Sequence, residues 1–206
     1  KINKRITEID DSYSKYRISE ALMSTYKLVW DDFCSWYLEI VKPNYGSPID
    51  KITYAKTIEQ LEKILKLLHP FMPFVSEEIW HLIDDRTNDI IVADWPKAGD
   101  VDEILLADFE HTSEVVAGIR TIRKEQNIAQ KEQLELLVIN NQKASNNLDA
   151  ILAKLGNLSA INTAVEKPKG AFSFMVKSNE YFIPLGDNID VETEKEKLQK
   201  EMDYTK

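Results

Sequence analysis

The sequence predicts a mainly α protein: an antiparallel helical bundle, then a small α+β module with an antiparallel sheet, then the start of a C-terminal coiled-coil helix. Three observations predict it. Apolar residues recur at helical spacing through most of residues 1–122, the period of helices that bury one face. From Leu134 onward, short β-branched and aromatic runs alternate with turn residues, which is a strand pattern. After Asp190 the charge density rises while Leu198 and Met202 stand four apart, as in the first turns of a coiled helix. The expected domains are 1–130 (helical), 131–187 (α+β) and 188–206 (start of the coiled segment).

Each element follows from its own stretch. Ile2, Ile6, Ile9 and Tyr13 space a first helix. Leu22, Tyr26, Val29, Phe33, Tyr37 and Ile40 carry a longer second one, stopped near Lys42 by Pro43, Gly46 and Pro48. Ile58, Leu61, Ile64, Leu65 and Leu68 make a third. It ends about His69, because Pro70 lacks an N–H and disfavours helix in the residue before it. Pro73 suits the first turn of a fourth helix, with Glu77 and Glu78 near its positive end. The stretch "LLHPFMPFVSEEIW" (67–80) is therefore a tight joint between antiparallel helices, with Phe71, Met72, Phe74 and Trp80 expected to plug one end of the bundle. Residues 84–101 read as a loop with a short extended piece at 90–92, and Trp95-Pro96 as a packed surface clip. Ile104 to Ile122 give a long helix that frays after Gln126-Asn127. Beyond it come a strand over 134–139, a short helix over 148–155 that Gly156 can cap, and strands over 158–165, 171–177 and 181–185.

Composition narrows the function. The chain has 206 residues and a formal net charge of -9, which argues against a general nucleic-acid binder but leaves room for a local basic patch. The single cysteine, Cys34, rules out an internal disulfide framework and fits a reducing, cytoplasmic compartment. It stands between aromatics and is expected as a small core filler. No apolar run is long enough to span a membrane. The chain opens on Lys1 and closes on an uncapped charged run, as expected of a segment of a longer protein.

Few residues carry chemistry. The six glycines are scattered, and no phosphate-cradling loop or nucleophile elbow is present. His69, His81 and His111 stand far apart and pair with no Cys or His at ligand spacing, so no metal site is expected. His69, at a helix end, is expected to cap the terminal carbonyls. Asp31-Asp32 and Glu77-Glu78 point in different directions as adjacent helical residues, and no catalytic residue is assigned. One charge feature stands out in "IRTIRKEQNIAQK". Arg120, Arg123, Lys124 and Asn127 fall at i, i+3, i+4 and i+7 of one helix face, with Lys131 just beyond. The start of that helix is acidic, so the pattern suits the helix dipole. The sharper reading of the same pattern is a phosphate-binding face on an acidic protein.

Four stretches in order resemble the C-terminal part of valyl-tRNA synthetases: "YKLVWDDFCSWYLEIVKP" (26–43), "LLHPFMPFVSEEIW" (67–80), "DWP" (94–96) and "IRTIRKEQNI" (119–128). The resemblance covers nearly the whole chain, and "IPLGDNIDVETEKEKLQKEM" looks like the junction into that family's coiled-coil arm. It implies an anticodon-binding helical domain, a small module and the start of an arm that contacts the tRNA elbow. The implied partners are a valine tRNA and the rest of the synthetase chain, in a monomer. The full-length enzyme would join valine to its tRNA with ATP and magnesium. The family's two nucleotide-binding signatures are absent here, so no cofactor is expected in these residues. The implied RNA contacts are Arg120, Arg123, Lys124 and Lys131, with Trp36 and Trp95 as candidates for stacking on unstacked bases; burial is the competing reading for both indoles. Two alternatives stand beside this one: the equivalent domain of an isoleucyl or leucyl enzyme, and a helical protein-interaction module.

Overall fold

The computed structural model describes residues 1–139, 148–168 and 170–184. The chain divides into two compact units, Lys1–Leu106 and Ala107–Lys206. The first holds helices α1 (Ile2–Ser14), α2 (Ile18–Lys27), α3 (Leu38–Val41), α4 (Lys51–Leu68) and α5 (Pro73–Ile83). Between α2 and α3 the backbone winds as a π-helix over Leu28–Tyr37, so helical winding runs unbroken from Ile18 to Val41. Leu28 and Phe33, five apart, are both buried, which is the inward phase of a π-turn. The hydroxyl of Ser35 donates to the Trp30 carbonyl at 2.8 Å, also five apart. The run stops at Lys42, which turns extended ahead of Pro43. Cys34 is exposed rather than a core filler, because the π-phase sends Leu28 and Phe33 inward instead.

Ile6, Ile9, Ala21, Leu28, Phe33, Ile64 and Leu67 form one core cluster, and Leu65, Trp80 and Ile90 form a second. Helix α4 serves both, since Ile64 and Leu67 lie on one side and Leu65 on another. Each large aliphatic buried there contributes about 1.5–3 kcal/mol over exposure. Asp50 starts α4 by accepting from the Thr53 N–H at 2.9 Å.

The joint at 67–80 combines a buried hydroxyl with part of the expected plug, since Trp80 is buried and Phe71 packs on the core while Met72 and Phe74 do not. Ser76 is buried, and its Oγ donates to the Met72 carbonyl at 2.8 Å while lying 2.8 Å from His69 Nδ1. With that proton committed, the hydroxyl accepts from the His69 ring. His69 thus ties α4 to α5 instead of capping carbonyls. Trp80 is buried and Phe71 half-buried, but Phe74 is 90% exposed and Met72 is exposed. The prolines set the chain direction so that only part of the apolar set turns inward. Residues 90–92 form a 3-10 turn, not an extended piece. The loop leading to it folds back on α5: the Arg86 guanidinium lies 3.7 Å from the Trp80 ring centroid and pairs with Glu62, and the Trp80 indole donates to the Asn88 carbonyl at 3.2 Å.

In the second unit most of α6 (Glu103–Glu125) is followed by β1 (Leu134–Ile139), α7 (Asp149–Gly156), β2 (Leu158–Thr163), β3 (Ala171–Val176) and β4 (Asn179–Pro184). The strand order is β2-β1-β4-β3. The sheet is mixed, which corrects the antiparallel expectation. β1 and β2 run parallel, whereas β1–β4 and β3–β4 are antiparallel. Parallel neighbours need a crossover of a dozen or more residues, and the segment holding α7 supplies it. Asn157, in the left-handed conformation at φ 48°, caps α7, with Gly156 in the last turn. Gly118 of α6 sits against the Phe174 ring of β3, so helix and sheet approach closely there. The expected coiled segment at 188–206 lies outside the described residues.

Candidate nucleic-acid interface

Helix α6 turns Val115, Val116, Ile119 and Ile122 inward. It ends in a turn closed by Asn127 at φ 52°, with the Ile128 N–H on the Arg123 carbonyl at 2.9 Å and the Asn127 N–H on the Lys124 carbonyl at 3.4 Å. This is a Schellman arrangement with Asn in the left-handed position. The last turns therefore keep their helical phase up to the end, and that phase decides which basic groups face water.

The four basic residues do not act alike. Arg120 and Lys124, one turn apart, are exposed, as is Lys131 on the turn that follows. Arg123 is only 4% exposed. Its Nη1 donates to the Ala129 carbonyl at 3.0 Å, and its Nη2 faces the carbonyls of Glu132, Gly156 and Asn157 at 2.9, 3.0 and 3.2 Å. Burial lowers its pKa, and the charge of Glu132 opposes that shift. The Asn157 amide adds donors to the Gln130 and Glu132 carbonyls at 2.9 and 3.1 Å. Arg123 thus spends its planar fork on backbone. It fixes the turn that carries Lys131 and joins that turn to the end of α7. The basic groups of this stretch that face solvent are Arg120, Lys124 and Lys131, and Asn127 is exposed beside them.

The two tryptophans are likewise committed in part. Trp95 is 38% exposed, its indole N–H donates to Asp10 Oδ1 at 2.7 Å, and its ring meets Tyr13 edge-on with centroids 5.8 Å apart. It is the clip expected from Trp95-Pro96, with Pro96 buried. Trp36 is half-buried in the π-helical segment. The apolar row expected on the second helix is corrected in part: Leu22 and Tyr26 face outward, while Phe33 of that row is buried. Ile18, Leu22, Tyr26 and Trp30 stand four apart and are all exposed, out of phase with buried Ala21, Thr25 and Leu28. The signal was present, because two apolar rows of different phase on one helix mean that one of them faces outward.

Among the described residues no helix is long and apolar enough to cross a membrane. Ser76 is buried and His69 half-buried, and the hydroxyl donates to the Met72 carbonyl, so the pair is a structural contact and not an activated nucleophile.

Residues 1–138 match the family model described as the anticodon-binding domain of tRNA ligase. Over its whole length the chain is similar to proteins named valine-tRNA ligase. It is 53% identical to that of Christiangramia forsetii over 207 residues, covering 100% of this chain and 24% of the relative. It is 48% identical to that of Parabacteroides distasonis, with the same coverage. Against that of Thermotoga maritima it is 31% identical, over 98% of this chain and 24% of the relative. The chain therefore spans about a quarter of the length of these relatives. The helical unit, the basic end of α6 and a match that extends into β1 lead to one assignment: this chain belongs to the family of anticodon-binding domains of tRNA ligases.

Proposed function

We propose that this chain is the segment of a valine-tRNA ligase that binds the anticodon region of its tRNA. The observation that carries the reading is the family match over residues 1–138 together with similarity to valine-tRNA ligases along the entire chain. In this reading residues 1–130 are the anticodon-binding helices in antiparallel order, 131–187 the small module and 188–206 the start of a coiled-coil arm. Arg120, Lys124 and Lys131 contact phosphates as charge-assisted donors, and Arg123 positions the turn that bears Lys131. The whole ligase would join valine to its tRNA in the cytoplasm, as a monomer, using ATP and magnesium held by parts beyond this chain. Its remaining chain is the second partner. The exposed row Ile18, Leu22, Tyr26 and Trp30 supports that pairing, because apolar rows of this length are rare on a surface left in water.

The test is binding of the chain to a valine tRNA transcript and to one with an altered anticodon, each across a salt series. Preference for the native anticodon is expected, with affinity falling as salt rises. Reversing Arg120→Glu and Lys124→Glu together is expected to lower the log–log salt slope by about 1.4, at about 0.7 per contact to single-stranded RNA. Unchanged affinity and slope in that double variant would remove α6 from the interface. No binding to either transcript, with a protein captured instead, would move the protein-interaction reading ahead.

A further inference from the structure

The loop that returns from α5 brings Asp89 to two side chains that α5 already spaces one turn apart on one face. Glu77 and His81 lie one turn apart on α5, and Asp89 is the residue before the 3-10 turn. His81 Nε2 lies 3.1 Å from Glu77 Oε1 and 3.3 Å from Asp89 Oδ1. All three ligand atoms fall within 4.8 Å of one another.

These separations carry geometric meaning. In a tetrahedral zinc site with bonds to N and O of about 2.0–2.1 Å, neighbouring ligand atoms stand about 3.3–3.4 Å apart. The two nitrogen–oxygen separations approach two edges of such a tetrahedron. The third edge, between the carboxylates, closes by a side-chain adjustment at Asp89, which is exposed. Glu77 is oriented independently of any ion, because its Oε1 accepts the Ile90 N–H at 3.0 Å. A ligating carboxylate held by a backbone donor is the outer-shell support that metal sites use. The loop itself is fixed by Arg86 on Trp80 and by the indole bond to Asn88, so Asp89 is delivered by a fastened segment. One imidazole and two carboxylates suit a divalent ion of zinc type. Magnesium and calcium prefer all-oxygen sets, and Cu(I) prefers thiolates.

We propose that Glu77, His81 and Asp89 bind one zinc-class divalent cation, with water completing the coordination, and that the ion ties loop 84–92 to α5. Binding would seat the ion on the Nε2 lone pair and draw both carboxylates to it, replacing the direct contacts between imidazole and carboxylate. The site stands on unit-one geometry alone and does not depend on the tRNA reading.

The experiment is calorimetric titration of the chelator-treated chain with zinc chloride, with melting curves recorded with and without the metal. One zinc per chain is expected, together with a rise in Tm. His81→Gln and Asp89→Asn are each expected to weaken binding at least tenfold, about 1.4 kcal/mol, and to abolish the rise in Tm. Cys34→Ser, which removes the exposed thiol, should change neither. Asp89→Asn alters an exposed side chain and keeps the test decisive if His81→Gln perturbs α5. Absence of binding at millimolar zinc, or binding that survives both site variants, would overturn the proposal and leave the trio as an ion pair.

Discussion

Replacing Arg123 by methionine separates its two readings, because one makes it a loss of RNA affinity and the other a loss of stability. The side chain touches four carbonyls, and three of them have other partners. Ala129 O also accepts the Glu132 N–H at 3.0 Å, Glu132 O the Asn157 amide at 3.1 Å, and Asn157 O the Leu134 N–H at 3.2 Å. The Gly156 carbonyl, at the end of α7 where no intrahelical donor reaches, loses the Arg123 bond of 3.0 Å. An orphaned buried acceptor costs about 1–3 kcal/mol, and bonds from a charged donor contribute about 1.5–3 kcal/mol each. The bonds share one guanidinium and do not add, so Arg123→Met is expected to cost about 3–5 kcal/mol. Methionine keeps most of the aliphatic stem, so little of that loss is packing. All four tryptophans lie in the first unit, and indole fluorescence during urea unfolding follows that unit alone. Far-UV circular dichroism follows both. With a urea slope of about 2 kcal/mol/M, the second unit's midpoint should fall by about 1.5–2.5 M while the fluorescence midpoint stays in place. A midpoint shift below about 0.3 M, with tRNA binding lost, would refute the buried-strut account and return Arg123 to the phosphate face.

Two further outcomes follow from the second unit. A Cβ on Gly118 would lie 2.3 Å from Phe174 Cδ2, so Gly118→Ala is expected to destabilise by about 1–3 kcal/mol through overpacking and to be relieved by Phe174→Leu; a gain of about 1 kcal/mol, as helix propensity alone would give, would show that the ring moves freely. Burial, reinforced by the charge of Lys177, holds His111 below its ordinary pKa of 6.5, while its Nε2 lies 2.8 Å from the Tyr181 hydroxyl. The folded chain then binds fewer protons than the unfolded chain between that lowered value and 6.5, so this contribution to stability is complete above about pH 6.5 and is lost as pH falls through the window. Thermal melts across that range should show a decline that His111→Gln flattens, and an identical decline in the variant would assign it to other groups.

Local periodicity made the helices legible. Ile6 and Ile9, or Leu61 and Ile64, turn to the core because side chains three or four apart share one face whatever packs on it. Pro70 and Pro73 placed the joint because their backbone limits act within a residue or two. The same local rule could not decide the sense of the sheet. Whether β1 and β2 pair parallel depends on where α7 returns the chain, which is a property of the whole crossover. Nor could it choose between Arg123 and Arg120. The two stand three apart, and only the arrival of Gly156 and Asn157, more than thirty positions later, makes one a buried strut and leaves the other in water.

Trp95 shows the same division at one side chain: its neighbour Pro96 marked a clip, but Asp10 and Tyr13, far back in the chain, took up its indole. The sequence by itself determined the mainly helical class and the positions of most helices and strands, because each rests on spacing within a short window, and the order of four motif stretches carried the resemblance to the valyl family. Only the tertiary structure decided the mixed sheet, the outward row from Ile18 to Trp30, the carbonyl partners of Arg123 and the meeting of Glu77, His81 and Asp89. Those depend on which distant segments share a boundary, and burial and charge pairing are set at such boundaries.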